Sequence, residues 1–282
     1  MSFLPSDSLY NDCAEAINDI YGGGLIETTR PWLEVNGTGY YSGVWNVIKI
    51  GCDVFMVVGA VLAVIYLIIN LADKSITQGN SLETFMKTFI EFILALLLIT
   101  NSFAIVEFAS NIGSSIIDDI SMILSTAVQD PQGASSVLMV ELNELNAKES
   151  DLGRYFGLLG FYIFKLFIPA LLARIGQVLI VIACMSRGIS IIIYGVFLPI
   201  PIADVFKDGI NSKGFRYIKK LIALFIQGGI ILLIMTVSQT LQLSVTQNAG
   251  TALGILYSVG VIFVSVMMIF KSQSFANDII GA

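Results

Sequence analysis

The sequence predicts an all-α, polytopic integral membrane protein with about five transmembrane helices and a proline-broken re-entrant or interfacial segment. Three observations carry this. Apolar residues fill 56% of the 282 positions and charged residues only 13%, about half the charged share of an ordinary soluble domain. Several apolar runs reach the roughly 20 residues that cross about 30 Å of hydrocarbon. Between two of them lies Pro199-Ile200-Pro201-Ile202-Ala203-Asp204-Val205-Phe206, where two prolines one residue apart remove backbone donors and end any continuous helix. Such a break is tolerated at membrane depth only where protein or water covers it.

Residues 1–43 form an acidic segment, with Asp7, Asp12, Glu15, Asp19, Glu27 and Glu34 against Arg30 alone. They lack the basic start and short apolar core of a secretory signal, so the segment is expected to stay on the mature protein. Leu9, Cys13, Ala16, Ile17 and Ile20 recur at helical spacing, which predicts a short amphipathic helix at the membrane interface, ended by Gly22-Gly23-Gly24. Residues 44–109 hold two spans, over 54–72 and 92–108, and Asn80 with Glu83 fits a capping box opening the second. In the polar stretch 110–153, Ile112, Ile116, Ile120, Ile123 and Ala127 share a face that should lie along the membrane or another subunit. Asp130-Pro131-Gln132-Gly133 then turns the chain, and 136–145 forms a second helix. Residues 154–282 hold the remaining spans, two of them clear at 221–241 and 252–270, and a region at 155–200 with room for one long helix or two.

Charge decides among these. Lys and Arg favour the cytoplasm, and the densest basic segment is 204–220, where Lys207, Lys213, Arg216, Lys219 and Lys220 face Asp204 and Asp208. With that segment and the tail inside, and the acidic segments 1–43 and 110–153 outside, an odd number of crossings must join 153 to 204. Residues 155–184 then form one span and 188–201 the re-entrant or interfacial piece: five spans, N-terminus outside, C-terminus cytoplasmic. Six spans would need a strongly acidic N-terminus inside.

Ionisable groups in or beside spans are the candidate channel or structural residues, because they are costly in lipid. Counting inward from Tyr155 places Lys165 about 15 Å deep and Arg174 near the inner surface. Asp53 and Glu107 stand at outer helix ends, Glu91 at an inner one, and matching depths pair Lys165 with Asp53 or Glu107, and Glu91 with Arg174. Arg187, Pro199, Pro201 and Asp204 complete this set. Lys207, Lys213, Arg216, Lys219 and Lys220, interleaved with Phe206, Phe215 and Tyr217, form the one stretch suited to DNA or an ATPase; their simplest role is a positive-inside anchor. Gly153 with Gly157, Gly250 with Gly254, and Gly228-Gly229 permit close helix approach. Only one broken element is legible, which argues against a secondary transporter.

The chain contains no histidine, which removes the commonest general base and metal ligand. Cys13, Cys52 and Cys184 are scattered and suggest neither disulfides nor a zinc site. No enzymatic activity, metal or cofactor is expected.

From Arg187-Gly188 through Pro199–Phe206, then Gly209, Gly214-Phe215-Arg216-Tyr217 and Gln227-Gly228, the sequence resembles the TrbL-type (VirB-six-like) channel subunit of type IV secretion systems, in the form found in Gram-positive conjugative elements. The resemblance runs from about Tyr41 onward. It implies a cell-membrane channel or scaffold subunit that oligomerises, contacts other type IV secretion subunits and membrane lipid, and helps move single-stranded DNA with its relaxase. The long C-terminal extension of some members is not expected here, so partner contacts made through such a tail are not implied. The alternatives are a small-solute or ion transporter nucleated by Lys165 and the proline break, and a holin-like pore, which fits the charge asymmetry poorly.

Overall fold

The computed structural model describes residues 6–20, 25–36, 39–78, 82–127, 133–147, 151–205, 212–249 and 251–282. Among them the chain is helical almost throughout, without strands. The helices are α1 (Ser6–Ile20), α2 (Leu25–Leu33), α3 (Ser42–Gln78), α4 (Leu82–Thr100), α5 (Ser102–Ala127), α6 (Gly133–Asn146), α7 (Asp151–Phe161), α8 (Phe167–Val196), α9 (Pro199–Ile202), α10 (Lys213–Ala249) and α11 (Thr251–Ile280). Four stretches are long and apolar enough to cross a membrane: Ser42–Ile76, Leu152–Val196, Lys213–Gln242 and Gly254–Ile280. A fifth, Leu82–Thr100 with Ser102–Ile123, is bent by 65°. The protein is therefore an all-α polytopic membrane protein. The glycines expected to end α1, the Asn80 cap, the 130–132 turn, Lys207 and Gly250 lie outside the described residues.

Local chemistry explains the breaks. Pro169 has no N–H for the carbonyl of Lys165, and the chain answers with one π-helical turn, Tyr162–Leu166, in which the Phe167 N–H reaches back to Tyr162. The expected second span, 92–108, is not straight. At its bend Thr100 Oγ1 donates to the Leu96 and Leu97 carbonyls at 3.0 and 3.1 Å, and Asn101 Nδ2 to Leu97 at 2.7 Å, so side chains compete with the backbone ladder. The segment expected to be re-entrant from Gly188 is shorter than that: residues 188–196 continue α8, and only the proline tetrad α9 is separate.

The chain divides into two compact units. One holds the described residues up to Arg30 together with Asp119–Ala183 and Ile231–Lys271. There Cys13, Ala16 and Ile17 of α1 and Leu138 and Leu142 of α6 pack on Leu158, Phe161, Leu166 and Ala170. The apolar stripe of α1 is thus spent on neighbouring helices; the expected interfacial helix is a packing helix. Three ion pairs border this core: Arg154 with Asp7 at 2.5 Å, Arg174 with Glu15 at 2.6 Å, and Lys165 with Glu141.

The other unit holds Pro31–Asp118, Cys184–Ile230 and Ser272–Ala282. Its core joins Ile48 and Cys52 of α3, Ile99 of α4, Val106 and Ala109 of α5, Ile191 of α8, Leu198 and Ile202 at the break, and Leu221, Leu224 and Phe225 of α10.

Candidate functional site

Both helix breaks meet at Gly59, halfway along α3. A Cβ at Gly59 would stand 2.5 Å from the Pro199 carbonyl oxygen, so only glycine lets α9 close on α3 here, and Ile99 at the end of α4 lies at ordinary contact distance, 3.4 Å, from the same point. Leu198, Pro199, Ile202 and Ala203 are buried there, which meets the requirement that protein cover a break. Pro199 cannot supply the N–H that the Gly195 carbonyl would receive in a continuous helix. That carbonyl accepts instead from the Leu198 N–H at 3.2 Å and from the Cys52 thiol at 3.2 Å. Cys52 thus works as a donor, a role its sequence position did not reveal.

The basic face begins beside this junction. Gly214 packs against the Pro201 carbonyl and Val205, and a larger residue would push α10 off the break. Ser212 Oγ caps α10 by accepting from the Phe215 N–H at 3.1 Å, and the Asp204 carboxylate accepts from the Lys213 N–H at 3.3 Å. Asp204 therefore tethers the start of α10 to the proline tetrad. Lys213, Arg216 and Lys220 project outward on one face of α10. Lys219 donates to the Gly281 carbonyl at 3.2 Å and lies over the Phe215 ring, while Tyr217 stacks on Tyr194 at 4.8 Å.

Arg187 is the buried cation of this unit, only 3% exposed. Its Nε donates to the Leu224 carbonyl at 2.8 Å, Nη1 to Leu33 at 2.8 Å and Nη2 to Phe225 at 3.1 Å. Gly228, one turn beyond Leu224, leaves the space: a Cβ there would lie 2.6 Å from Nη2. Gly228 thus admits a guanidinium, where the sequence suggested a close helix approach. Gly188, beside Arg187, is closed over by the Tyr41 ring, whose buried hydroxyl has no hydrogen-bond partner among the described residues.

The expected charge pairs are not formed. Lys165 is held by Glu141 of α6 and lies over the Phe161 ring, instead of reaching Asp53 or Glu107. Arg174 reaches Glu15, and Glu91 is bound by Lys74 at 3.4 Å, with Lys74 also donating to Thr88 at 2.9 Å. Depth counting failed because α1 and α6 pack against α7 and the π turn and bring their carboxylates to those cations, and because the α3–α4 hairpin sets Lys74 opposite Glu91. Asp53 and Glu107 are exposed. A cavity of about 970 Å³ between α10 and α11 is lined by apolar residues such as Leu233, Val237, Leu241 and Val264, with hydroxyls from Ser238 and Ser265 but no charge.

No curated protein and no solved structure matches the chain. One sequence family does, over residues 35–199, which is more than half of the chain and runs from the segment before α3 to the first proline of the break. The basic face of α10 lies beyond the matched region. On that match the chain belongs to the TrbL/VirB6 plasmid conjugal transfer-like family.

Proposed function

We propose that this protein is a channel or scaffold subunit of a type IV secretion machine, set in the cell membrane and assembling with other conjugation proteins to move single-stranded DNA, protein or both. The observation that carries the reading is the junction at Gly59, where two broken helices close beside an exposed basic face. The proline tetrad, Asp204 and Ser212 fix where that face starts, and Lys213 and Lys220, with Arg216 between them, present basic side chains to phosphate or to an acidic partner. The role in this reading is non-enzymatic, in keeping with membership of a conjugal transfer family.

Two contacts bear on the number of crossings. α1 and α6 pack on each other, with the Tyr10 hydroxyl donating to Asn143 at 2.8 Å, so both belong on one side of the membrane and an even number of crossings separates them. Lys219 and Gly281 meet in the same way across α10 and α11. With one crossing by the Leu152–Val196 stretch, these contacts fit the proposed five spans, while the outside N-terminus and cytoplasmic tail rest on the charge asymmetry of the sequence.

The test is deletion of the gene from its element, followed by transfer measured with wild-type protein and with Pro199→Ala/Pro201→Ala protein that still reaches the membrane. Abolished transfer restored only by wild type supports the reading; normal transfer without the gene refutes it. The transporter reading gains one observation, that two discontinuous helices meet mid-helix on α3, as in transporter sites. Solute-dependent protection of a cysteine placed at Lys165 would favour it, and loss of conjugation with every uptake intact would count against it.

A further inference from the structure

Helix α5 exposes a polar face where other spans expose apolar ones. α3 turns Val47, Ile50, Val54, Val57, Val61 and Val64 outward, as lipid contact requires. On α5 the exposed residues include Glu107, Asn111, Ser115 and Asp118, with Asn101 exposed at the bend just before it. At 100° per residue they fall within an arc of about 120°, shared with Ala104 and Phe108. The opposite side, with Val106, Ala109 and Ile117, is buried, and Ser110 donates to the Val35 carbonyl at 3.0 Å. A face carrying carboxylate and amides does not face hydrocarbon.

The same unit carries a face of opposite charge at the same height. α5 starts at the bend beside Ile99, which meets the Pro199 carbonyl across Gly59; α10 starts with Gly214 against Pro201. Twelve residues along α5, Gly113 abuts Phe225, eleven residues along α10 from Gly214, so the two helices run side by side in one direction. Glu107 stands six residues above Asn101 and Lys220 six above Gly214, each about 9 Å up its helix. Both are exposed, and neither has an ion-pair partner among the described residues.

From this we infer that the α5 face of one copy docks on the α10 face of a second copy, with Glu107 of one opposite Lys220 of the next and Asn101 near Lys213. Donor and acceptor faces differ, so the contact is head-to-tail and repeats from copy to copy. It names the self-contact within the conjugation reading and rests on it. The complement is a second copy of this chain because the heights match through the chain's own packing, which no unrelated partner need share.

The experiment uses full-length protein in detergent micelles and in nanodiscs, its assembly followed by light scattering and mass photometry. Wild type is expected to associate. Glu107→Lys or Lys220→Glu alone should weaken association at least tenfold, and the two together should restore it. Helical circular dichroism confirms that each variant is folded. As a second measurement, a copy carrying Glu107→Cys mixed with a copy carrying Lys220→Cys should cross-link between copies in membranes. A protein monomeric throughout, a double reversal that restores nothing, or no cross-link between the two cysteine-bearing copies would overturn the inference. Transfer in the gene-deletion assay reports on the conjugation reading separately, so the two fail independently.

Discussion

Replacing Arg187 by Ala removes three hydrogen bonds from a buried guanidinium: to Leu224 and Phe225 of α10 and to Leu33 at the end of α2. Bonds inside membrane proteins average about 0.6 and reach about 1.7 kcal/mol each, so the loss should total about 2–5 kcal/mol. Gly228→Ala should act through the same group. Its Cβ would sit 2.6 Å from Nη2 and 2.8 Å from Cζ, forcing the guanidinium off its acceptors, while the helix gains about 1 kcal/mol from losing a glycine. Gly228→Ala is therefore expected to destabilise wild type by about 1–4 kcal/mol yet stabilise Arg187→Ala protein by about 1 kcal/mol. The assay is reversible unfolding in mixed micelles with rising dodecyl sulfate, read by helical circular dichroism, on wild type, both single variants and the double. A change of sign between the two backgrounds is the signature of direct contact. If Gly228→Ala costs the same in both, or Arg187→Ala unfolds within about 0.5 kcal/mol of wild type, the clamp is refuted.

Tyr41→Phe removes a buried hydroxyl without a partner, so it should be neutral or stabilising by up to about 1 kcal/mol in the same unfolding assay; a loss above that would reveal a bond not accounted for. Cys52→Ser keeps a donor for the Gly195 carbonyl and should cost less than Cys52→Ala, by about 1 kcal/mol. Lys165→Gln should lower stability by less than about 1 kcal/mol, because both members of its pair are about one-third exposed. Burial, helped by the neighbouring Asp12 carboxylate, pushes the Cys13 thiol up to about 11. Its maleimide labelling in folded protein should stay slow at pH 8 and rise only toward that value; fast labelling at pH 7.5 would mean that the α1–α7 packing opens.

The apolar runs, the proline break and the charge asymmetry were legible in the sequence because each rests on local composition. The partners of the charges were not. Lys165 and Arg174 were expected to pair at matching depths, but Glu141 and Glu15 come from helices whose position depends on tertiary packing. The bend at Asn101 was hidden because Thr100 and Asn101 carry no proline or glycine signal; their side chains act only on the preceding turn's carbonyls. Gly228-Gly229 read as a packing motif, and a sequence cannot say whether a helix or a guanidinium fills the space a glycine leaves. Arg187 was named as a candidate channel or structural residue, but its acceptors are backbone carbonyls, which carry no residue-type signature at all.

The basic face now has two claimants, and their energetics separate them. If single-stranded DNA contacts Lys213, Arg216 and Lys220 in a protomer with no neighbour, binding should fall with salt with a log–log slope near −2, from about 0.7 per neutralised phosphate. If Lys220 is engaged by Glu107 of the next copy, only Lys213 and Arg216 remain for phosphate and the slope should shrink to about −1.4. Anisotropy of a labelled oligonucleotide, titrated with assembled wild-type protein and with the unassembled Glu107→Lys variant between 50 and 200 mM salt, reads the difference. The exposed carboxylates of α5 repel phosphate, which favours a path along α10. Binding that persists unchanged when Lys213 and Arg216 are both replaced by Gln would show that the strand runs elsewhere and would leave this face to protein contacts alone.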